Sequence, residues 1–235
     1  KTGETNKVVI LVATSGDTGK AALEGFADVP GTQIIVFYPS EGVSDIQKQQ
    51  MITQAGKNVK VFGIEGNFDD AQRGVKEIFG NTALSDELEK KGYTFSSANS
   101  INWGRLVPQI VYYFSAYVDA VKAGKIAAGD PINFVVPTGN FGDILAGYYA
   151  KLMGLPIDRL LCASNSNNVL TDFINTGVYD RRREFYKTVS PSMDILVSSN
   201  LERLLYSVTE HDAARVADYM KRLNTEGHYE IDSDD

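Results

Sequence analysis

The stretch VVILVATSGDTGKAALEGFA, residues 8–27, decides the fold class. An apolar, β-branched run ends at the polar loop of residues 14–19, and an Ala- and Leu-rich pattern with helical spacing follows it. This order predicts a strand over residues 8–13, a tight loop and a helix over residues 20–27. We expect this loop to aim backbone N–H groups and three hydroxyls, those of Thr14, Ser15 and Thr18, at one spot. The positive end of the helix dipole adds to them there, so the loop suits a small anion.

The same alternation continues along the chain. Further apolar runs predict strands at residues 33–38, 59–64, 132–136 and 160–163, and amphipathic stretches between them predict helices at 45–54, 68–79, 105–125, 144–153 and 170–176. Strands that alternate with helices predict an α/β fold with mostly parallel sheets and helices on both faces. We expect a small subdomain over residues 1–98 and an incomplete larger one over 99–235. After about residue 180 the pattern weakens into surface helices.

Composition excludes several classes of protein. A net charge of −7 argues against broad nucleic-acid binding. The single cysteine, Cys162, lies in an apolar run that predicts a buried strand residue; it allows no internal disulfide and fits a reducing compartment, so we expect a cytoplasmic protein. Two histidines without ligand spacing exclude a His-rich metal site. No apolar run reaches the roughly 18–20 residues of a membrane helix. Because the sequence begins at Lys1, we expect a piece of a longer protein.

The loop of residues 14–19 has two interpretations. Gly16 and Gly19 serve as turn residues with Thr14 or Ser15 as a helix cap, or the loop binds a ligand. Its spacing matches neither the Walker A pattern nor the dinucleotide fingerprint. Asp17 would repel a phosphate, so a carboxylate fits better, with Asp17 turned toward a hydroxyl or an ammonium group.

A second glycine loop, PTGNFGD, occupies residues 137–143. Gly139 and Gly142 allow close backbone approach, their amides can form an anion nest, and the Thr138 hydroxyl adds a donor. We expect Asp143 to cap the following helix. This context favours a bound phosphate; the alternative is a plain strand-to-helix turn.

A third polar cluster, SANSINWGR, occupies residues 97–105. Asn99, Ser100, Asn102 and Arg105 lie together at the start of a helix, where the guanidinium can bind an oxyanion through two hydrogen bonds. The alternative is a capped helix start with an exposed arginine.

Three motifs, taken in order, resemble the threonine synthase family: ATSGDTG, SANSIN with Arg105, and VPTGNFGD. Three other stretches resemble the same family: VFYPSEGVSDIQKQQM, GNFDDAQ and LAGYYAKLMGLP. These are pyridoxal-phosphate enzymes of fold type II, in the tryptophan synthase β family. The resemblance covers nearly the whole chain to about residue 180. It implies conversion of O-phosphohomoserine and water to threonine and phosphate, with pyridoxal 5'-phosphate as cofactor.

The resemblance also implies roles for particular residues. The first loop would hold the substrate carboxylate and border the cofactor ring, the second would hold the cofactor phosphate, and the third cluster would hold the substrate phosphate. The cofactor-binding residues would be Asp17, Thr138, Gly139, Asn140, Phe141 and Gly142, and the substrate-binding residues would be Ser15, Gly16, Thr18, Asn99, Ser100 and Arg105. It implies no metal.

One departure from the family pattern concerns catalysis. The Schiff-base lysine of the family lies in a Phe-Lys-Asp motif upstream of the first loop, and this sequence has no such motif. Lys20 matches no catalytic position, so no catalytic residue is assigned. We expect the central part of a threonine synthase, inactive alone, that binds O-phosphohomoserine and neither nucleic acid nor membrane. The alternatives are a serine or threonine dehydratase, a cysteine synthase, or a non-catalytic anion-binding module.

Overall fold

The computed structural model describes residues 5–14, 16–99 and 102–231. The chain forms two compact units, the first ending at Asn102 and the second beginning at Trp103. Each unit has its own hydrophobic core. Within the described ranges, no helix is both long and apolar enough to cross a membrane.

A parallel sheet forms the centre of the first unit. Its strands are β1 (Lys7–Ala13), β2 (Thr32–Pro39), β3 (Val59–Ile64) and β4 (Tyr93–Ser97), in the spatial order β3-β2-β1-β4. Strand β1 is buried on both faces, with Ile10 and Val12 on one side and Val9 and Leu11 on the other. A strand covered on both faces is apolar throughout, which is why its sequence predicts it so clearly.

Helices cover both faces of this sheet. They are α1 (Asp17–Phe26), α2 (Asp45–Ile52), α3 (Phe68–Gly80) and α4 (Thr82–Lys90). Leu23 of α1 and Met51 of α2 pack on one face, and Ala71 and Val75 of α3 pack on the other. The predicted α/β architecture is therefore confirmed in this unit.

Over residues 103–231, the second unit combines a parallel strand pair with five α-helices and a short 3-10 helix, Pro191–Met193. Its elements are α5 (Trp103–Lys122), β5 (Ile132–Pro137), α6 (Gly142–Leu152), β6 (Ile157–Ala163), α7 (Val169–Thr176), β7 (Val178–Asp180), α8 (Leu201–Val208), α9 (Ala213–Thr225) and β8 (His228–Glu230). Strands β5 and β6 are parallel, and β7 and β8 are antiparallel. Leu145, Ala146 and Ala150 of α6 are fully buried in its core. Cys162 lies in β6, as predicted, and is half-buried.

The structure differs from the sequence prediction at polar or very short elements. Helix α1 begins at Asp17 rather than at residue 20, because Asp, Thr and Gly are weak helix formers that nevertheless suit the first turn. Helix α4 and strands β4, β7 and β8 were not predicted. Strand β4 is only half-buried, and β7 and β8 have three residues each, so their sequences carry little periodic signal.

Candidate functional site

The first glycine loop is organised around the hydroxyl of Thr14. This residue follows β1 and is 1% exposed, and its Oγ1 accepts hydrogen bonds from the Gly16 amide (3.0 Å) and the Gly19 amide (2.9 Å). The expectation that every hydroxyl of the loop points toward a ligand is therefore wrong for Thr14. Its hydroxyl closes the loop on itself and sets the turn from strand to helix. Ser15 lies outside the described residues.

The two glycines of this loop are required by space and backbone conformation. Gly16 has φ 144°, a region that L side chains rarely adopt. A Cβ on Gly19 would lie 2.5 Å from Thr14 Cγ2 and 2.8 Å from Met51 Sδ. The start of α1 therefore packs directly against the loop and against α2.

The carboxylate of Asp17 is held by a residue that sequence reasoning missed. Asp17 Oδ1 accepts a hydrogen bond of 2.8 Å from Nε2 of Gln47, and Gln47 also forms the capping box of α2 with Ser44. The S-x-x-Q spacing of such a box is visible in the sequence.

Thr18 is half-buried in the first turn of α1, a helix whose N-terminus has no side-chain cap. Within that turn the Gly19 amide is taken by Thr14 Oγ1, whereas no side chain accepts from the Thr18 amide in the described part of the chain.

Asn99 continues the sheet of the first unit with its side chain. Its Oδ1 accepts from the Ala13 amide at 3.0 Å, and its Nδ2 donates to the Ala13 carbonyl at 2.6 Å. One of the two amide hydrogens on Nδ2 is therefore committed to the backbone. Ser100 lies outside the described residues. Arg105 belongs to the second unit, half-buried in the first turn of α5.

In the second glycine loop, Thr138 closes the end of β5. It is 6% exposed, its amide donates to the Ala163 carbonyl (2.8 Å), and its hydroxyl donates to the Val136 carbonyl (2.7 Å). The prediction that the Thr138 hydroxyl donates to a bound anion is wrong, since its hydrogen is taken by the backbone.

The amides that follow Thr138 have no acceptor in the described part of the chain. Among the described residues, nothing accepts a hydrogen bond from the N–H of Gly139, Asn140 or Phe141. The Gly142 amide, by contrast, donates to Asn140 Oδ1 at 2.8 Å, so it is not available as predicted. Phe141 has φ 64°, and a left-handed residue within a run of N–H groups is typical of an anion-binding nest. Three consecutive donors thus precede α6, whose N-terminus has no side-chain cap.

The carbonyls of the same loop are bound by residues far away in sequence. The Ser198 hydroxyl donates to the Gly139 carbonyl, and the Asn140 carbonyl accepts from both the amide and Nδ2 of Asn200, at 3.1 Å each. No sequence motif indicated these two residues, because the segment around them has weak periodicity.

Asp143 does not cap α6. The cap position is Phe141, and Asp143 lies in the first turn of the helix, where Tyr113 donates to its carbonyl at 2.8 Å and to its Oδ1 at 3.3 Å. The left-handed Phe141 begins the helix earlier than the Asp143 side chain suggested. Burial raises the pKa of Asp143, while the Tyr113 hydrogen bond opposes that effect.

Comparison with solved structures defines the class of protein. The pyridoxal-phosphate-bound threonine synthase of Brucella melitensis matches 97% of this chain with a TM-score of 0.82 and 44% identity, and the match covers 47% of that protein. The two glycine loops therefore lie on the α/β fold of a fold-type-II pyridoxal-phosphate enzyme, as the sequence predicted.

Sequence comparison names the family. Threonine synthase of Saccharomyces cerevisiae is 39% identical over 239 residues, which is 98% of this chain and 45% of the yeast protein. Human threonine synthase-like 1 is 48% identical over 231 residues, 95% of this chain and 31% of the human protein. No model of a known protein family matches the chain. The chain is homologous to the threonine synthase family over nearly its whole length, and it spans about a third to a half of the length of these relatives.

Proposed function

We propose that the protein containing this chain is a pyridoxal-phosphate-dependent threonine synthase, which converts O-phosphohomoserine and water to threonine and phosphate. The observation that carries the proposal is the row of amides at Gly139, Asn140 and Phe141, for which the described residues offer no acceptor. Homology to a threonine synthase solved with pyridoxal phosphate supports the same assignment.

The second glycine loop fits the phosphate of the cofactor. A phosphate monoester needs several N–H donors and positive potential, and the loop offers both at the start of α6. Gly139, Asn140 and Phe141 would hold the phosphate through their amides, with Thr138 and Gly142 shaping the loop around them. Asp17 would border the ring. When bound, the cofactor withdraws electrons from the substrate carbons next to the amino group.

The first loop and the third cluster would bind substrate. Ser15 and Thr18 would hold the α-carboxylate through backbone N–H groups and the dipole of α1, which has no side-chain cap. Gly16, whose own amide donates to Thr14 Oγ1, would allow the substrate to approach the loop closely. The phosphate of O-phosphohomoserine would be held by Ser100, by the second amide hydrogen of Asn99, and by Arg105. A guanidinium is suited to this role because it binds phosphate oxygens in pairs and keeps its charge at all relevant pH values.

Such an enzyme needs a Schiff-base lysine, and the 235 residues contain no Phe-Lys-Asp motif that would supply it. The contribution of this chain is therefore binding and orientation. It would place the leaving phosphate and the carboxylate of the substrate while the lysine moves protons between substrate carbons.

The test is phosphate release from O-phosphohomoserine by the full-length protein, with pyridoxal phosphate present and threonine measured as the second product. We expect both products in equal amounts. Arg105→Ala should raise KM for O-phosphohomoserine, and Arg159→Ala, which removes an exposed arginine of β6, should not. Absence of phosphate release would contradict the proposal; binding of pyridoxine 5'-phosphate without turnover would instead indicate a non-catalytic phosphate-ester-binding protein. Elimination products from O-phosphohomoserine or serine would indicate a dehydratase of the same fold.

A further inference from the structure

One segment of the chain, residues 193–200, contacts the second glycine loop through both packing and hydrogen bonds. A Cβ added to Gly139 would lie 3.1 Å from Ile195 Cδ1 and 3.4 Å from Met193 Cα. A little further along this segment, Ser198 and Asn200 donate hydrogen bonds to the carbonyls of Gly139 and Asn140. The packing and the hydrogen bonds therefore come from the same segment, 193–200.

These hydrogen bonds determine where the loop amides point. In a planar trans peptide the C=O and the N–H of one unit point in opposite directions. The peptide unit that carries the Gly139 carbonyl also carries the Asn140 N–H, and the unit that carries the Asn140 carbonyl carries the Phe141 N–H. Because Ser198 and Asn200 hold both carbonyls, both N–H groups are directed away from segment 193–200, and neither has a protein acceptor among the described residues.

Ser198 and Asn200 are themselves fixed. The Ser198 amide donates to the Tyr179 hydroxyl at 3.0 Å, and that hydroxyl donates to the Leu196 carbonyl at 2.9 Å. The guanidinium of Arg203 donates to Asn200 Oδ1. Since a guanidinium can only donate, it orients the Asn200 carboxamide with Nδ2 toward the Asn140 carbonyl. Asn200 is 0% exposed and Ser198 is 7% exposed, so solvent does not compete for these bonds.

We propose that Ser198 and Asn200 are positioning residues for phosphate binding: they orient the amides of Asn140 and Phe141 toward the cofactor phosphate without touching it. The inference rests on the proposed function, since it takes the second glycine loop as the phosphate site. Affinity for a phosphorylated ligand should therefore depend on the side chains of Ser198 and Asn200, although neither contacts the phosphate.

The experiment compares two ligands that differ only in the phosphate. Pyridoxine 5'-phosphate and pyridoxine both lack the aldehyde, so neither forms a bond to a lysine. Each is titrated into the full-length protein by calorimetry, and the ratio of the two Kd values measures the contribution of the phosphate. For Ser198→Ala we expect Kd for pyridoxine 5'-phosphate to rise about tenfold, equivalent to ~1.4 kcal/mol. Kd for pyridoxine should stay unchanged.

Two further variants sharpen the result. Asn200→Asp keeps the shape of the side chain but replaces the Nδ2 donor with an oxygen, so it should weaken pyridoxine 5'-phosphate at least as much as Ser198→Ala does. Ser199→Ala is the matched control, because no hydrogen bond joins Ser199 to residues 139–142 in the described part of the chain. It should bind both ligands as the unsubstituted protein does.

The outcomes separate the two proposals. If the unsubstituted protein shows no preference for pyridoxine 5'-phosphate over pyridoxine, the assignment of the phosphate site fails, and the positioning role fails with it. If that preference exists and Ser198→Ala retains it in full, only the positioning role is overturned. Equal weakening of both ligands would also overturn it, since that result indicates general loss of structure. Should Asn200→Asp fail to fold, Ser198→Ala and its control still decide the matter.

Discussion

The side chain of Asn99 pairs with the backbone of Ala13 as a neighbouring strand would. Strand β4 pairs with β1 as far as Leu11 and Ser97, and two residues further on the Asn99 carboxamide both accepts from the Ala13 amide and donates to its carbonyl. The side chain thus satisfies the last backbone groups of β1 at the point where the chain turns into the first glycine loop. Ala13 is 1% exposed, so water cannot replace these bonds.

Replacing Asn99 should therefore destabilise the first unit. Asn99→Ala leaves a buried N–H and a buried C=O without partners, which costs about 2–6 kcal/mol in the free energy of unfolding at roughly 1–3 kcal/mol for each group. Urea unfolding measures it. Asn6→Ala is the control, because it removes only an exposed hydrogen bond of 3.3 Å to Thr94, and it should change stability by less than about 0.5 kcal/mol. Equal stability of Asn99→Ala and the unsubstituted protein would show that Ala13 finds other partners.

Two glycines of helix α1 should respond in opposite directions to alanine. Gly19→Ala places a Cβ 2.5 Å from Thr14 Cγ2, and overpacking of this kind costs about 1–3 kcal/mol. Gly25→Ala meets nothing within 4 Å and should stabilise the helix by about 0.5–1 kcal/mol. Thermal unfolding of the two variants side by side measures the difference. A Gly19→Ala protein as stable as Gly25→Ala would mean that the loop does not pack as described.

The two stacked tyrosines of strands β7 and β8 should differ when each loses its hydroxyl. Their rings are 5.4 Å apart and parallel within 1°. The Tyr179 hydroxyl has two backbone partners, whereas the buried Tyr229 hydroxyl has none among the described residues. Tyr179→Phe should destabilise the protein by about 1–3 kcal/mol because it leaves buried groups unpaired. Tyr229→Phe should be neutral or stabilising. Guanidinium unfolding tests this, and a larger loss for Tyr229→Phe would contradict the assignment.

Asp180 should make stability depend on acid pH. Its carboxylate accepts two hydrogen bonds of 2.9 Å from the Arg182 side chain, which hold the pKa of Asp180 to about 2. An unfolded aspartate has a pKa of about 3.9. A lowered pKa means that the contribution is present above about pH 4 and is lost as the pH falls toward 2. Asp180→Asn keeps the side-chain oxygen that accepts from the Arg182 amide, so it removes mainly the charge.

Because the pair is partly exposed, Asp180→Asn should lower the free energy of unfolding at pH 7 by no more than ~1 kcal/mol. Chemical unfolding at pH 7, 4 and 2 checks this. The difference from the unsubstituted protein should shrink between about pH 4 and about pH 2. A difference that is constant over this range would rule out the charge as its source.

Much of the fold was predictable because it depends on local patterns. Strand β1 is buried on both faces and appears in the sequence as an unbroken apolar run. Apolar residues recur at helical spacing along α5, and three of them, Leu106, Tyr113 and Tyr117, are buried in the core. The short strands β7 and β8 were not predictable, since three residues carry little periodic signal and their tyrosines pack against aromatic rings distant in sequence.

The candidate site shows the same difference between what local sequence determines and what tertiary structure determines. The sequence alone determined that two glycine loops follow parallel strands and precede helices, and it identified the residues within them. Tertiary structure alone decided which polar groups in those loops remain available. Thr138 and Gly142 are used within the loop, while the orientation of the Asn140 amide depends on Ser198, 59 residues away from Gly139. The reason is physical: strand and helix formation depends on near neighbours, but a hydrogen-bonding group is free or occupied according to whatever the folded chain places next to it.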